Sequence, residues 1–108
     1  MAKGKQQASG MGDALEIDKT IHEPARLLIM ANLYVIDSAD FTYLMHQTNL
    51  TYGNLSSHMS KLEEAGFIEV IKEFKGKRPN TMLKLTPKGR EALIHYREQI
   101  MEILANLT

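Results

Sequence analysis

The stretch TYGNLSSHMSKLEEAG, residues Thr51–Gly66, decides how this chain is read. Thr51 is a good helix N-cap, and Gly66 is well placed as the left-handed residue that ends the helix. Between them Leu55, Met59 and Leu62 recur at i, i+4 and i+7, the apolar stripe of an amphipathic helix over Tyr52–Ala65. Stepping about 100° per residue puts Gly53, Ser56, Ser57, Ser60, Lys61 and Glu64 opposite that stripe, with Tyr52 and Asn54 near the start. A helix face that meets only solvent usually carries Glu, Lys, Arg and Gln, which favour helix. Three serines and a glycine weaken this one. Either the segment is simply a weak helix behind ordinary turn residues, or its short side chains serve a close approach. A helix lying in the DNA major groove needs such an approach, and Ser, Asn and Lys hydrogen-bond base edges or phosphates there.

Upstream, Phe41, Leu44 and Met45 mark a short helix over Phe41–Gln47, and Thr48–Thr51 reads as the turn joining it to the longer one. Asp37–Asp40 is a polar break with N-cap candidates, preceded by a strongly apolar helix over Ala25–Val35 that should be buried on most of its circumference. A further short helix is expected at Ala14–Thr20, and residues 1–12 read as a disordered tail before a single domain over 13–108. Downstream the period changes. Phe67–Phe74 is β-rich, Lys75–Asn80 (KGKRPN) is turn chemistry, and Thr81–Leu85 is a second strand, together a hairpin. Thr86-Pro87 then caps and opens a last helix running to about Leu107. The expected class is mainly α with a small β-hairpin: a three-helix core preceding the hairpin, apart from the short helix at Ala14–Thr20, and a long helix after it.

The formal net charge of zero hides a division. From Lys72 to Arg90 there are seven basic residues (Lys72, Lys75, Lys77, Arg78, Lys84, Lys88, Arg90) against one acid, Glu73. Lysines also protect exposed sheet edges, so a basic hairpin tip is weak evidence alone. Following a helix-turn-helix, it is placed to reach flanking phosphates or the minor groove. The absence of cysteine removes disulfides and thiolate metal sites and suits a reducing cytoplasm. No apolar run approaches the ~20 residues of a membrane helix.

The segment LTYGNLSSHMSKLEEAGFIEVIKEFKGKRPNTMLKLTPKGREAL closely resembles winged helix-turn-helix transcriptional regulators of the MarR and ArsR type. IHEPARLLIMANL, at Ile21–Leu33, is similar to the opening of a short prokaryotic subgroup of these proteins, and the resemblance spans about Leu15 to Leu107. It implies a winged helix fold, a homodimer and binding to pseudo-palindromic double-stranded DNA. By position, Thr51, Tyr52, Gly53, Asn54, Ser56, Ser57, Ser60 and Lys61 match the family's recognition-helix surface, and Lys75, Lys77, Arg78 and Pro79 match its wing. The chain is shorter at its N-terminus than full-length MarR proteins, and it lacks the cysteines of the metal-sensing ArsR branch.

In the last helix Leu93, Tyr96, Ile100, Ile103 and Leu107 form a short heptad seam, and with Leu104 they are the expected dimer interface. Leu15, Ile17 and Ile21 are expected to pack against it. The other reading has this helix packed on its own domain through Ala92, Met101 and Leu104. The four histidines (His22, His46, His58, His95) lack metal-site spacing, and no phosphate loop, nucleophile elbow or paired acids suggest catalysis. The expectation is therefore a cytoplasmic, dimeric, sequence-specific DNA-binding regulator that represses, with no cofactor, no metal, no membrane and no assigned effector. A winged helix acting as a protein–protein module in a transcription assembly is the alternative.

Overall fold

Four side chains punctuate the fold by accepting a hydrogen bond from a backbone N–H at a helix start. Glu23 accepts from Arg26, Asp40 from Tyr43, Thr51 from Asn54 and Thr86 from Gly89. Each such cap is worth about 1 kcal/mol. They open α1 (Pro24–Ile36), α2 (Phe41–Thr48), α3 (Tyr52–Glu64) and α4 (Pro87–Leu104). Pro24 and Pro87 stand in the first turn of α1 and α4, where a missing N–H costs nothing. The computed structural model describes residues 16–107, so the tail expected at 1–12 and the expected interface residue Leu15 lie outside the described residues.

Between α1 and α2 the chain forms a short strand, β1 (Ser38–Asp40). After α3 it forms the hairpin of β2 (Ile68–Lys75) and β3 (Arg78–Leu85). The sheet is antiparallel in the order β1-β3-β2, with Ala39 opposite Leu83 and Val70 opposite Leu83 from the other side. The polar break at Asp37–Asp40 is therefore also a sheet strand. Asp40 still caps α2, as a break residue should, but three residues carry no period from which a strand can be read.

The hairpin turn is tighter than its composition suggested. Lys75 pairs with Arg78, leaving Gly76 and Lys77 as the whole connection. Gly76 has φ +65° and Lys77 has no positive φ, as in the two-residue turns that place glycine first. Arg78, Pro79 and Asn80 belong to β3 rather than to a loop. Proline is tolerated there because β1 reaches only 82–84, so no neighbour on that edge misses its N–H.

The core gathers Ile29, Met30 and Leu33 of α1, Leu44 of α2, Leu55 and Leu62 of α3, Leu83 and Leu85 of β3, and Phe67 and Ile68. Two interface expectations are corrected here. Ile21 is fully buried in this core and offers no side chain to a second subunit, and Tyr96 is buried with its hydroxyl 2.9 Å from His22 Nδ1, showing only an edge in the cavity between α1 and α4. The described part of the expected first helix, residues 16–20, is turn. Asp18 Oδ1 accepts from the N–H groups of Thr20 and Ile21, giving the backbone a local alternative to helix.

Helix α1 is also less buried than its composition implied. Ile29, Met30 and Leu33 face inward, but Leu28, Tyr34 and Val35 are exposed, Val35 at 81%. On α4, Ala92, Leu93 and Ile100 pack on the core, whereas Ile94, Met101 and Leu104, with Leu107 just past the helix end, stand outside it. The seam expected to face a partner thus divides. Its first half serves the chain's own core, and the exposed apolar stripe lies on the neighbouring face.

Near the start of α1, Arg26 Nη1 donates to His58 Nδ1 over 3.1 Å, and Glu23 Oε1 lies 3.9 Å from the same nitrogen. Burial alone would raise the Glu23 carboxyl. The backbone N–H of Arg26, with His58 and the Arg26 side chain, outweighs it and holds the group below the ordinary carboxylate range. A depressed folded value means that this contribution to stability is complete at neutral pH and is lost as pH falls through the folded value. Thermal melts should therefore separate Glu23→Gln from wild type at pH 7, with the gap closing on acidification. A gap that persists in acid would show that the carboxylate charge is irrelevant.

Candidate nucleic-acid interface

Helix α2, the turn at 49–51 and helix α3 form a helix-turn-helix. Asn49 adopts the left-handed conformation (φ 58°, ψ 28°), ending α2 and turning the chain toward Thr51. Leu55 and Leu62 anchor α3 in the core with Met59 partly buried beside them, which forces the opposite face outward. Tyr52, Gly53, Asn54, Ser57, Ser60 and Lys61 are exposed with Thr51, and Ser56 is half-buried. The structure thus brings together on one surface the α3 residues singled out from the sequence. Tyr52 is held in place by a tilted contact with Phe41, ring centroids 4.9 Å apart. His58 is turned aside to Arg26 and Glu23, so it is not part of this face.

Gly53 is informative because the fold does not need it. A Cβ built there meets nothing within 4 Å, and the residue has no positive φ. Glycine inside a helix costs roughly 0.5–1 kcal/mol relative to alanine. The cost is borne without any internal benefit.

The hairpin projects beside α3. Lys75, Lys77, Arg78 and Pro79 are all exposed at its end. The basic cluster of the sequence separates into two groups. Arg90 is turned inward: it pairs with Asp37 at 3.1 Å, donates to the Tyr34 carbonyl and lies 4.6 Å from the Tyr34 ring centroid. Lys88 extends over the Phe67 ring, and Lys84 stands opposite Glu69 in the sheet. Lys72, Lys75, Lys77 and Arg78 are left as the hairpin's outward charge.

The register adds Phe74 and Thr81 to the residues singled out from the sequence and places Lys72 and Pro79 beside them. Lys72 faces Thr81 and Phe74 faces Pro79 on the side of the ribbon continuous with Ile68 and Val70. Lys72, Pro79 and Thr81 line a groove of about 300 Å³ together with Thr42 of α2 and Tyr52, Ser56 and Met59 of α3. The sequence signal is the period-two alternation of Ile68, Val70, Lys72 and Phe74, and the pairing of Phe74 with Pro79 shows only in the structure, where Pro79 is strand. A second, apolar cavity of about 290 Å³ lies away from this surface, between Leu27, Ala31 and Tyr34 of α1 and Leu93, Ile94 and Arg97 of α4. Among the described residues, no His/Asp/Glu group is arranged to hold a metal ion, and no helix is long and apolar enough to cross a membrane.

The family model for a winged helix DNA-binding domain matches residues 25–104, from α1 to the end of α4. The chain belongs to this family. An uncharacterized protein of Methanocaldococcus jannaschii is 39% identical to it over 89 residues, covering 82% of the chain and 97% of the relative. The solved structure of a transcriptional regulator homologue from Pyrococcus horikoshii superimposes with a TM-score of 0.83 at 30% identity, over 90% of this chain and 98% of that one. A MarR-family transcriptional regulator from Silicibacter pomeroyi shares the fold at 19% identity, with a TM-score of 0.59 over 92% of this chain and 68% of its own. Family and fold are those of a DNA-binding transcriptional regulator and not of an enzyme. In a winged helix domain the hairpin β2–β3 is the wing, and α3 occupies the position of the recognition helix.

Proposed function

We propose that this winged helix domain acts as a homodimeric, sequence-specific regulator in the cytoplasm. Helix α3 lies in the major groove, the wing lies on the flanking backbone and minor groove, and occupancy of the operator represses transcription. Thr51, Tyr52, Gly53, Asn54, Ser56, Ser57, Ser60 and Lys61 form the groove-facing surface, and Lys75, Lys77, Arg78 and Pro79 the wing contact. The exposed stripe of Ile94, Met101 and Leu104 on α4, continued by Leu107 just beyond it, with Leu28 and Val35 on α1, is the surface for the second subunit. Two half-sites about one helical turn apart then bind together.

The observation that carries this reading is Gly53: a helix-weakening residue, exposed, with no neighbour that requires it. A constraint that does not come from inside the chain comes from what the helix touches. Selection of bound duplexes from a random pool tests it directly. Wild-type chain should enrich a pseudo-palindrome. Gly53→Ala should melt slightly higher, by about 0.5–1 kcal/mol, yet bind that duplex more weakly. Failure of the wild type to enrich any sequence, or a Gly53→Ala chain that binds normally, would count against the proposal.

A further inference from the structure

The wing carries an aromatic side chain that its own fold does not use. Phe74 is 72% exposed on β2, opposite Pro79 in the register. It lies two residues beyond Lys72 on the same side of the ribbon, the side that shares a groove with α3. Lys75 and Arg78 occupy the next rung on the other face, and Lys77 sits in the turn. An exposed apolar pair therefore stands among four cations, Lys72, Lys75, Lys77 and Arg78, and one acid, Glu73, whose carboxylate accepts from the Asn80 side chain.

That combination sets the chemistry of what covers it. A purely apolar partner would leave the cations desolvated and unpaired, which is costly. A polyanion with an apolar recess matches both features, and the DNA minor groove is one: phosphates along its rims, sugars and base edges within. Phe74 stands four residues past Val70, the last partly buried residue of β2, or about 14 Å beyond the packed part of the strand, so it is free to meet a partner.

We infer that Phe74, backed by Pro79, seats in the minor groove flanking the α3 site, as an apolar anchor whose contribution is independent of salt. The inference rests on the DNA-binding reading above. An apolar contact releases no counterions, so its loss lowers affinity without changing the salt slope. The exocyclic amino group of guanine projects into the minor groove and obstructs such an anchor, whereas inosine lacks it and presents the same major-groove pattern.

The test uses the full chain and the duplex it selects from the random pool, in versions with G·C or I·C pairs at the flanking steps. Wild type is expected to prefer the I·C version, and Phe74→Ala to bind about tenfold more weakly with an unchanged salt slope and no such preference. Phe74→Leu should keep most of the affinity. The melting temperature should be unchanged in both variants, since Phe74 is exposed. Phe74→Ala with wild-type affinity, a flattened salt slope, a retained I·C preference or altered self-association would each overturn the inference. If wild type selects no duplex, it is the DNA-binding reading itself that fails.

Discussion

Replacing Gly89 by alanine should destabilise the domain by about 3 kcal/mol, the upper end of what overpacking usually costs. A Cβ at this position would lie 2.1 Å from the carbonyl oxygen of Phe67 and within 3 Å of two further Phe67 backbone atoms. Backbone cannot step aside as a flexible side chain can. Both segments are also pinned. Gly89 donates its N–H to Thr86 Oγ1 at 2.9 Å, Thr86 donates its own hydroxyl to the Gly66 carbonyl, and Thr86 N–H donates to Phe67. Shifting α4 therefore breaks a cap and a chain crossing together. A thermal midpoint roughly 12–20 °C lower is expected for a domain of this size. The contrast with Gly53→Ala is the sharper check, because the same substitution there meets open space and should stabilise. Equal effects at the two glycines would show that the close approach at Phe67 is not a constraint.

The second large effect is electrostatic. The double variant Lys77→Ala/Arg78→Ala removes two exposed charges from each wing, four in the proposed dimer. If each neutralises a phosphate, the slope of log K against log salt should flatten by about 3 to 4, and affinity near 0.1 M salt should fall about a thousandfold across sequences. The enriched sequence should change little, because phosphate contacts position the protein without reading bases. An unaltered slope would remove the wing from the interface. These residues are exposed beyond the packed part of the sheet, so stability should be nearly untouched.

The helix-turn-helix was legible in the sequence because its signals are local. Thr51 caps, Leu55, Met59 and Leu62 face inward, and Gly66 (φ +80°) ends the helix, all within 16 residues. What was missed depends on long-range pairing. Ser38–Asp40 is a strand only because Leu83 and its neighbours lie alongside. Pro79 is strand because the edge it occupies has no neighbour. Lys72 and Phe74 take their face by alternation from Ile68 and Val70, and the two-residue turn sets which residues of β3 stand opposite them. The expected α4 seam divides for a related reason. Heptad spacing says which residues share a stripe, but His22 and the α1 core decided that Tyr96 and Leu93 face inward.

Thr86 is the joint between wing and last helix, and it acts as the root of a lever. The 18 residues of α4 make an arm of about 27 Å. A tilt of 10° at its root would carry the far end nearly 5 Å, enough in a dimer joined there to push the two reading heads off their half-site spacing. One hydroxyl, bonded on both sides, holds that angle. In the proposed dimer, whatever loosens it would change not how tightly each half reads DNA but whether both can read at once.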